Sequence, residues 1–79
     1  MKKQQEILKN NFKSLRVRVG LNQEEAAREL NISRTHFLKY ENNPITVKLL
    51  LLLKLTGLYN CTISDFFIGI QRDYSSHPK

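Results

Sequence analysis

The stretch that most restricts what this chain can become runs from Asn22 to Glu41, NQEEAARELNISRTHFLKYE. Its apolar residues fall into two short blocks with helical spacing and a break at Asn31, which predicts two amphipathic helices joined by a tight turn. Asn22 is placed to cap the first block and Glu25 stands three residues on. This capping-box-like start also sets acids at the positive end of the helix dipole. Ala26, Ala27 and Leu30 form the inner stripe, and small Ala27 lets a second helix cross closely at a steep angle. Asn31 suits the turn because asparagine tolerates the left-handed backbone conformation better than most non-glycine residues, and Ile32 plugs the corner. Ser33 is placed to cap the second block. There Phe37 and Tyr40 face inward, while Arg34, Thr35, Leu38 and Lys39 face outward and make that face basic.

Two helices at this spacing make a helix-turn-helix, and the residues in it resemble the Cro/CI-type (XRE family) DNA-binding domain. The resemblance rests on Gln23 opening the first helix, Ala27 at the crossing, and Asn31-Ile32-Ser33 where the family usually has Gly-Val-Ser. The run Phe37, Tyr40, Glu41-Asn42 that closes the second helix completes it, and the similarity covers roughly residues 8 to 67. The chain departs from the family at Asn31, and again at Asn43-Pro44-Ile45-Thr46, where members often carry glycine and then basic residues. The implied fold is all-α, a compact five-helix lambda-repressor-like DNA-binding domain with the helix-turn-helix as helices two and three. It would occupy residues 1–70, with 71–79 as a flexible C-terminal tail.

The flanking sequence supplies the other helices. Leu8, Phe12, Leu15 and Val19 give residues 1–19 one apolar face, and Gly20 follows where a helix C-cap is wanted. The remaining faces carry Lys2, Lys3, Lys9, Lys13, Arg16 and Arg18. Beyond the motif, Pro44 disfavours helix in the residue before it, so the second helix ends at Asn42-Asn43-Pro44 and a loop follows. Thr46 is placed to cap a fourth helix reaching Leu58 or Asn60, with Val47, Leu51, Leu52, Leu55 and Leu58 or Tyr59 toward the core. The leucine run Leu49 to Leu53 overfills one face, so Leu49, Leu50 or Leu53 must point elsewhere, covered either by helix one or by a second subunit. Thr62-Ile63-Ser64-Asp65 is another capping-box-like start ahead of Phe66, Phe67, Ile68 and Ile70, and predicts a short fifth helix. Two adjacent phenylalanines do not both fit one small core. From Gln71 onward the chain lacks periodicity and reads as a frayed tail.

Charge then narrows the class of partner. Against 7 Asp and Glu stand 13 Lys and Arg, a net charge of +6, which favours a polyanion. Lone Cys61 forms no internal disulfide and the N-terminus lacks a signal-peptide pattern. The longest apolar run is far short of the ~20 residues that span a bilayer, so a cytoplasmic, membrane-free protein is expected. There is no glycine-rich phosphate loop, no nucleophile beside a base and no paired-carboxylate motif, so neither an enzyme, a cofactor nor a small-molecule ligand is expected. His36, His77 and one cysteine do not make a zinc site. A chain of 79 residues has a limited core, for which oligomerisation is a source of stability.

The resemblance also implies a set of contacts. In the family the exposed face of helix three enters the major groove of duplex DNA, which makes Arg34, Thr35 and Lys39 the base-contact candidates. Arg34 can fork onto guanine O6 and N7, Thr35 can hydrogen-bond or set its methyl against that of thymine, and Lys39 can reach a guanine or a phosphate. Leu38 either touches a thymine methyl or is a plain surface leucine. Phosphate-contact candidates are Gln23 and Asn22 at the start of helix two, His36 on the flank of helix three, Asn42 at its end, and Arg16. For Arg16 the family offers a second role, a scaffold ion pair with Glu41. The last helices often build a twofold dimer, so Phe67, Ile70 and Leu53 are dimer-interface candidates. The function implied is a sequence-specific regulator of transcription that binds double-stranded DNA, a homodimeric repressor of phage, plasmid or mobile-element type on a pseudo-palindromic operator. The alternatives are an antitoxin or other protein-binding module on the same scaffold, and a controller protein of a restriction-modification system.

Overall fold

Three residues in the left-handed region decide where helices stop. The computed structural model describes residues 2–70, and the segment read above as a frayed tail, 71–79, lies outside the described residues. Helix α1 (Lys2–Arg18) is built mostly of straight-chain residues with good helix propensity and is stopped by Gly20, at φ +80°. There the Gly20 amide donates to the carbonyl of Val17 (2.9 Å) and the Leu21 amide to that of Arg16 (3.3 Å), the paired bonds of a Schellman cap. Helix α2 (Gln23–Glu29) ends the same way at Asn31, φ +60°, with Asn31 donating to Arg28 and Ile32 to Ala27, each at 3.0 Å. The next helices are α3 (Arg34–Asn42) and α4 (Leu49–Tyr59), and α4 closes on Asn60 at φ +54° with the Cys61 amide bonded back to Thr56. Two 3-10 helices, Pro44–Thr46 and Ile63–Phe67, complete the architecture, and no strand occurs among the described residues.

Because Asn31 carries a Cβ where glycine is least strained, its substitutions have a defined order. Asn31→Ala is expected to cost about 1 kcal/mol, a fall of roughly 4–8 °C in Tm, whereas Asn31→Gly should preserve or raise Tm. Thermal denaturation followed by circular dichroism checks it. An alanine variant as stable as the glycine variant would mean the turn does not hold this backbone conformation.

Helix starts are equally local. Asn22 Oδ1 accepts from the Glu25 amide (2.7 Å) while Glu25 Oε1 accepts from the Asn22 amide (2.9 Å), and Ser33 Oγ accepts from the His36 amide (3.1 Å). Thr62 and Asp65 make the same reciprocal box at the last element. The bond from Thr62 holds the Asp65 carboxyl below its ordinary range.

The core joins Phe12 and Leu15 of α1, Ala26, Ala27 and Leu30 around the turn, Phe37 of α3, Leu55 and Tyr59 of α4, and Phe66. Ala26 and Ala27 are fully covered, and their methyl-sized side chains let α2 and α3 pack face to face. Phe66 sits against Phe12 with ring centroids 4.5 Å apart and against Tyr59 at 6.3 Å. Its neighbour Phe67 points outward.

Several expectations need correction. The fifth helix is a single 3-10 element, because the Asn11 carboxamide takes the carbonyls of Phe66 (2.9 Å) and Ile68 (2.8 Å) that a longer helix would use internally, and Gly69 turns the chain at φ +85°. Thr46 does not cap α4. Its hydroxyl donates to the Asn43 carbonyl at 2.7 Å and closes the preceding turn, so α4 begins at Leu49 behind Lys48, and Val47 packs on the core from the connection. Val19 lies past the end of α1 and is exposed. Arg18 is no idle surface charge: its guanidinium donates to the carbonyls of Tyr59 and Asn60, both at 3.1 Å, and so satisfies the C-terminus of α4. Helix one covers none of Leu49, Leu50 and Leu53, all of which are exposed.

Candidate nucleic-acid interface

Helix α3 is held by its two ends. Ser33 fixes the first turn, and Glu41 in the last turn, only 5% exposed, anchors it to two other elements. Arg16 Nε donates to Glu41 Oε2 at 2.8 Å and Arg16 Nη2 to Oε1 at 3.3 Å, a forked ion pair between α1 and α3. The third guanidinium nitrogen, Nη1, donates to the Leu21 carbonyl at 2.7 Å, and Gln23 Nε2 donates to Glu41 Oε1 at 3.2 Å. One carboxylate thus ties α1, the α1–α2 loop, the start of α2 and the end of α3 together. Behind it, burial pushes the Tyr59 phenol well above its ordinary value, with the Glu41 charge adding to the rise and Arg16 opposing it, so the hydroxyl stays neutral.

What this frame presents is the other side of α3. Phe37 and Glu41 face the core, Tyr40 and Leu38 are half-buried, and Arg34, Thr35, His36, Lys39 and Asn42 are exposed. Thr35, Lys39 and Asn42 follow at four- and three-residue spacing and stand on one stripe. His36 stands off this stripe, its ring stacked on Tyr40 (centroids 6.3 Å apart, planes 17° apart) and its Nδ1 3.3 Å from Ser33 Oγ.

Beside the first turn of α3 lies an open concavity of about 490 Å³ lined by Lys13, Arg16, Asn22, Gln23, Glu24 and Arg34. A second, of about 400 Å³, shares Lys13 and Gln23 with it and is lined further by Lys9, Asn10, Glu6, Glu41 and Asn42. Two cations, Lys13 and Arg34, therefore flank a carboxamide-lined hollow, the chemistry that suits a phosphodiester. Glu24 on its rim opposes an anion, and sits where the helix dipole favours an acid.

The site residues read from the sequence divide accordingly. Arg34, Thr35 and Lys39 share one exposed surface, with Asn42 beyond them and Asn22 and Gln23 beside them. Arg16 is 5% exposed and each of its three guanidinium nitrogens donates to a protein acceptor, so its bonds serve the scaffold role. Gln23 is half-buried and already bonded to Glu41, so one of its amide hydrogens is committed to the scaffold. Lys13 and Lys9, to which the sequence assigned no role, line the hollows beside α3. The signal was present, since Lys9, Lys13 and Arg16 share one side of a helix by their four- and three-residue spacing, and Arg16 meets α3. Phe67 and Leu53 are exposed by 43% and 47%, and Ile70 is half-buried. No helix among the described residues is long and apolar enough to cross a membrane.

A family model described as Helix-turn-helix matches residues 12–66, from the middle of α1 to Phe66. No curated protein and no solved structure matches the chain.

Proposed function

Because the chain belongs to the XRE-type helix-turn-helix family and is, with it, a DNA-binding transcription regulator, we propose that it is a repressor of phage, plasmid or mobile-element type. Two copies bind the two halves of a pseudo-palindromic operator and exclude polymerase from the promoter beneath. The observation that carries this reading is the exposed side of α3, whose Arg34 guanidinium, Thr35 hydroxyl and Lys39 ammonium groups belong to a helix fastened by a buried carboxylate. Arg34 forks onto guanine O6 and N7, Thr35 meets a thymine methyl or a base-edge acceptor, and Lys39 reaches a guanine or a phosphate. Gln23, Asn22, Lys13, His36 and Asn42 contact phosphates and set the register of the helix in the groove.

Base and phosphate contacts separate by experiment. Lys13→Ala should weaken binding to every duplex alike and lower the slope of log K against log salt by about 0.9, the share of one phosphate contact. Gln23→Ala should weaken all sequences alike too, with no change in that slope. A titration series in salt, repeated on operator and random duplex, checks both. An unchanged slope for Lys13→Ala would remove that residue from the interface. The regulatory reading is tested by transcription in vitro from a template whose promoter overlaps the selected site. Transcript falling with protein concentration is expected, and transcript rising with occupancy of the site would replace repression by activation.

A further inference from the structure

Tyr59, the last residue of α4, is only 1% exposed and carries a hydroxyl into the core. A buried phenol normally finds a hydrogen-bond partner. Among the described residues this hydroxyl bonds to no protein group, yet every side-chain nitrogen and oxygen sealed from water there has a partner. The Tyr59 oxygen therefore borders a space that a water-sized sphere enters. Between α3 and α4 lies a cavity of about 10 Å³, walled in part by Phe37, Leu51 and Leu55 and by three residues with polar tips, Tyr40, Glu41 and Tyr59. A single water needs about 10–15 Å³ of such space and two to four polar partners. Glu41 has an acceptor to spare. Its Oε1 takes two bonds, from Arg16 Nη2 and Gln23 Nε2, but its Oε2 takes one, from Arg16 Nε. An ionised carboxylate offers about four acceptor positions, so one remains on Oε2. Burial, and after it the Glu41 charge, raises the Tyr59 phenol, which keeps its proton and remains a donor.

We propose that this cavity is a binding site for one ordered water molecule, which accepts from the Tyr59 hydroxyl and donates to Glu41 Oε2, with the Tyr40 hydroxyl as its third partner. A cavity of this size lined by aliphatic and phenyl groups alone would stay dry, and it is the three polar tips that make it a hydration site. The water carries the Glu41 hub one element further. The carboxylate already holds α1, the α1–α2 loop, the start of α2 and the end of α3, and the bridge adds the end of α4. The helix with the exposed basic side is then bonded, directly or through one water, to every other α-helix of the fold. A buried water with three bonds is worth nearly as much to such a network as a direct contact. The inference concerns the interior and stands whether or not the operator reading holds.

Nuclear Overhauser spectra of the full chain in water, with the rotating-frame version to separate contact from proton exchange, test this. Leu55 is 3% exposed, so bulk solvent does not reach its methyl groups, which carry no exchanging proton. Wild type should show cross-peaks between those methyls and the water resonance. Tyr59→Phe keeps the ring and its packing and removes the hydroxyl alone. The cross-peaks should vanish in that variant and Tm should fall by about 4–8 °C, the loss of one buried hydrogen bond. Wild type without the cross-peaks overturns the inference, since the cavity is then dry. Cross-peaks that persist in Tyr59→Phe overturn it too, because the water is then held by other groups. So does a phenylalanine variant at least as stable as wild type, which would mean that the hydroxyl gains nothing from a bridge.

Discussion

Glu41→Ala should destabilise the protein by about 3–5 kcal/mol, a large part of the 5–15 kcal/mol that holds a small domain together. The substitution leaves the Arg16 guanidinium inside with Nε and Nη2 facing a methyl group, and also strips Gln23 of its acceptor. An exposed pair would cost under about 1 kcal/mol, but both partners here are 5% exposed. Urea denaturation of wild type and variant gives the difference directly. The double variant Arg16→Met with Glu41→Leu should recover most of the loss, because it leaves no buried charge unpaired and only the Gln23 amide and the Leu21 carbonyl short of a partner. A cost below about 1 kcal/mol for Glu41→Ala would show that water reaches the pair and that something else sets the angle of α3.

Replacing Arg34, Thr35 and Lys39 together by alanine is expected to leave Tm unchanged and to abolish discrimination between operator and random duplex. All three are exposed and none has a hydrogen-bonded partner in the scaffold bonds described above. Specific sites are typically bound 10³-fold or more tighter than random sequence, so the operator affinity should fall by about that factor to the non-specific level. Competition binding with labelled operator and random competitor measures it. Retained discrimination would move base reading to Leu38 or Asn42.

Much of the local structure was legible because its causes lie within four residues. The reciprocal bonds of Asn22 with Glu25 and of Thr62 with Asp65, the cap at Ser33 and the glycine stop at Gly20 each depend on a few neighbouring atoms, and each forms where the pattern places it. What escaped was made by distant pairs. Asn11 reaches 55 residues along the chain to shorten the last element into a 3-10 turn, and Arg18 spans 41 residues to satisfy the end of α4. Neither side chain carries a pattern that names its acceptor. The resemblance supplied the pairing of Arg16 with Glu41, but not the bond from Gln23 that joins it, nor the placing of Lys13 beside Arg34. The leucine run left two covers open in the sequence, and only the packing of α1 rules out the first.

The central claim is that the side chains of α3 enter a groove of duplex DNA and read it. Selection of bound fragments from random duplexes, run in parallel on wild type and on Arg34→Ala, tests this most directly. The account predicts that the two motifs agree except at one base pair in each half-site, where the variant loses its preference at a cost on the order of 1 to 3 kcal/mol. A variant that selects the wild-type motif with uniformly weaker binding, or a wild type that enriches no motif, would contradict it.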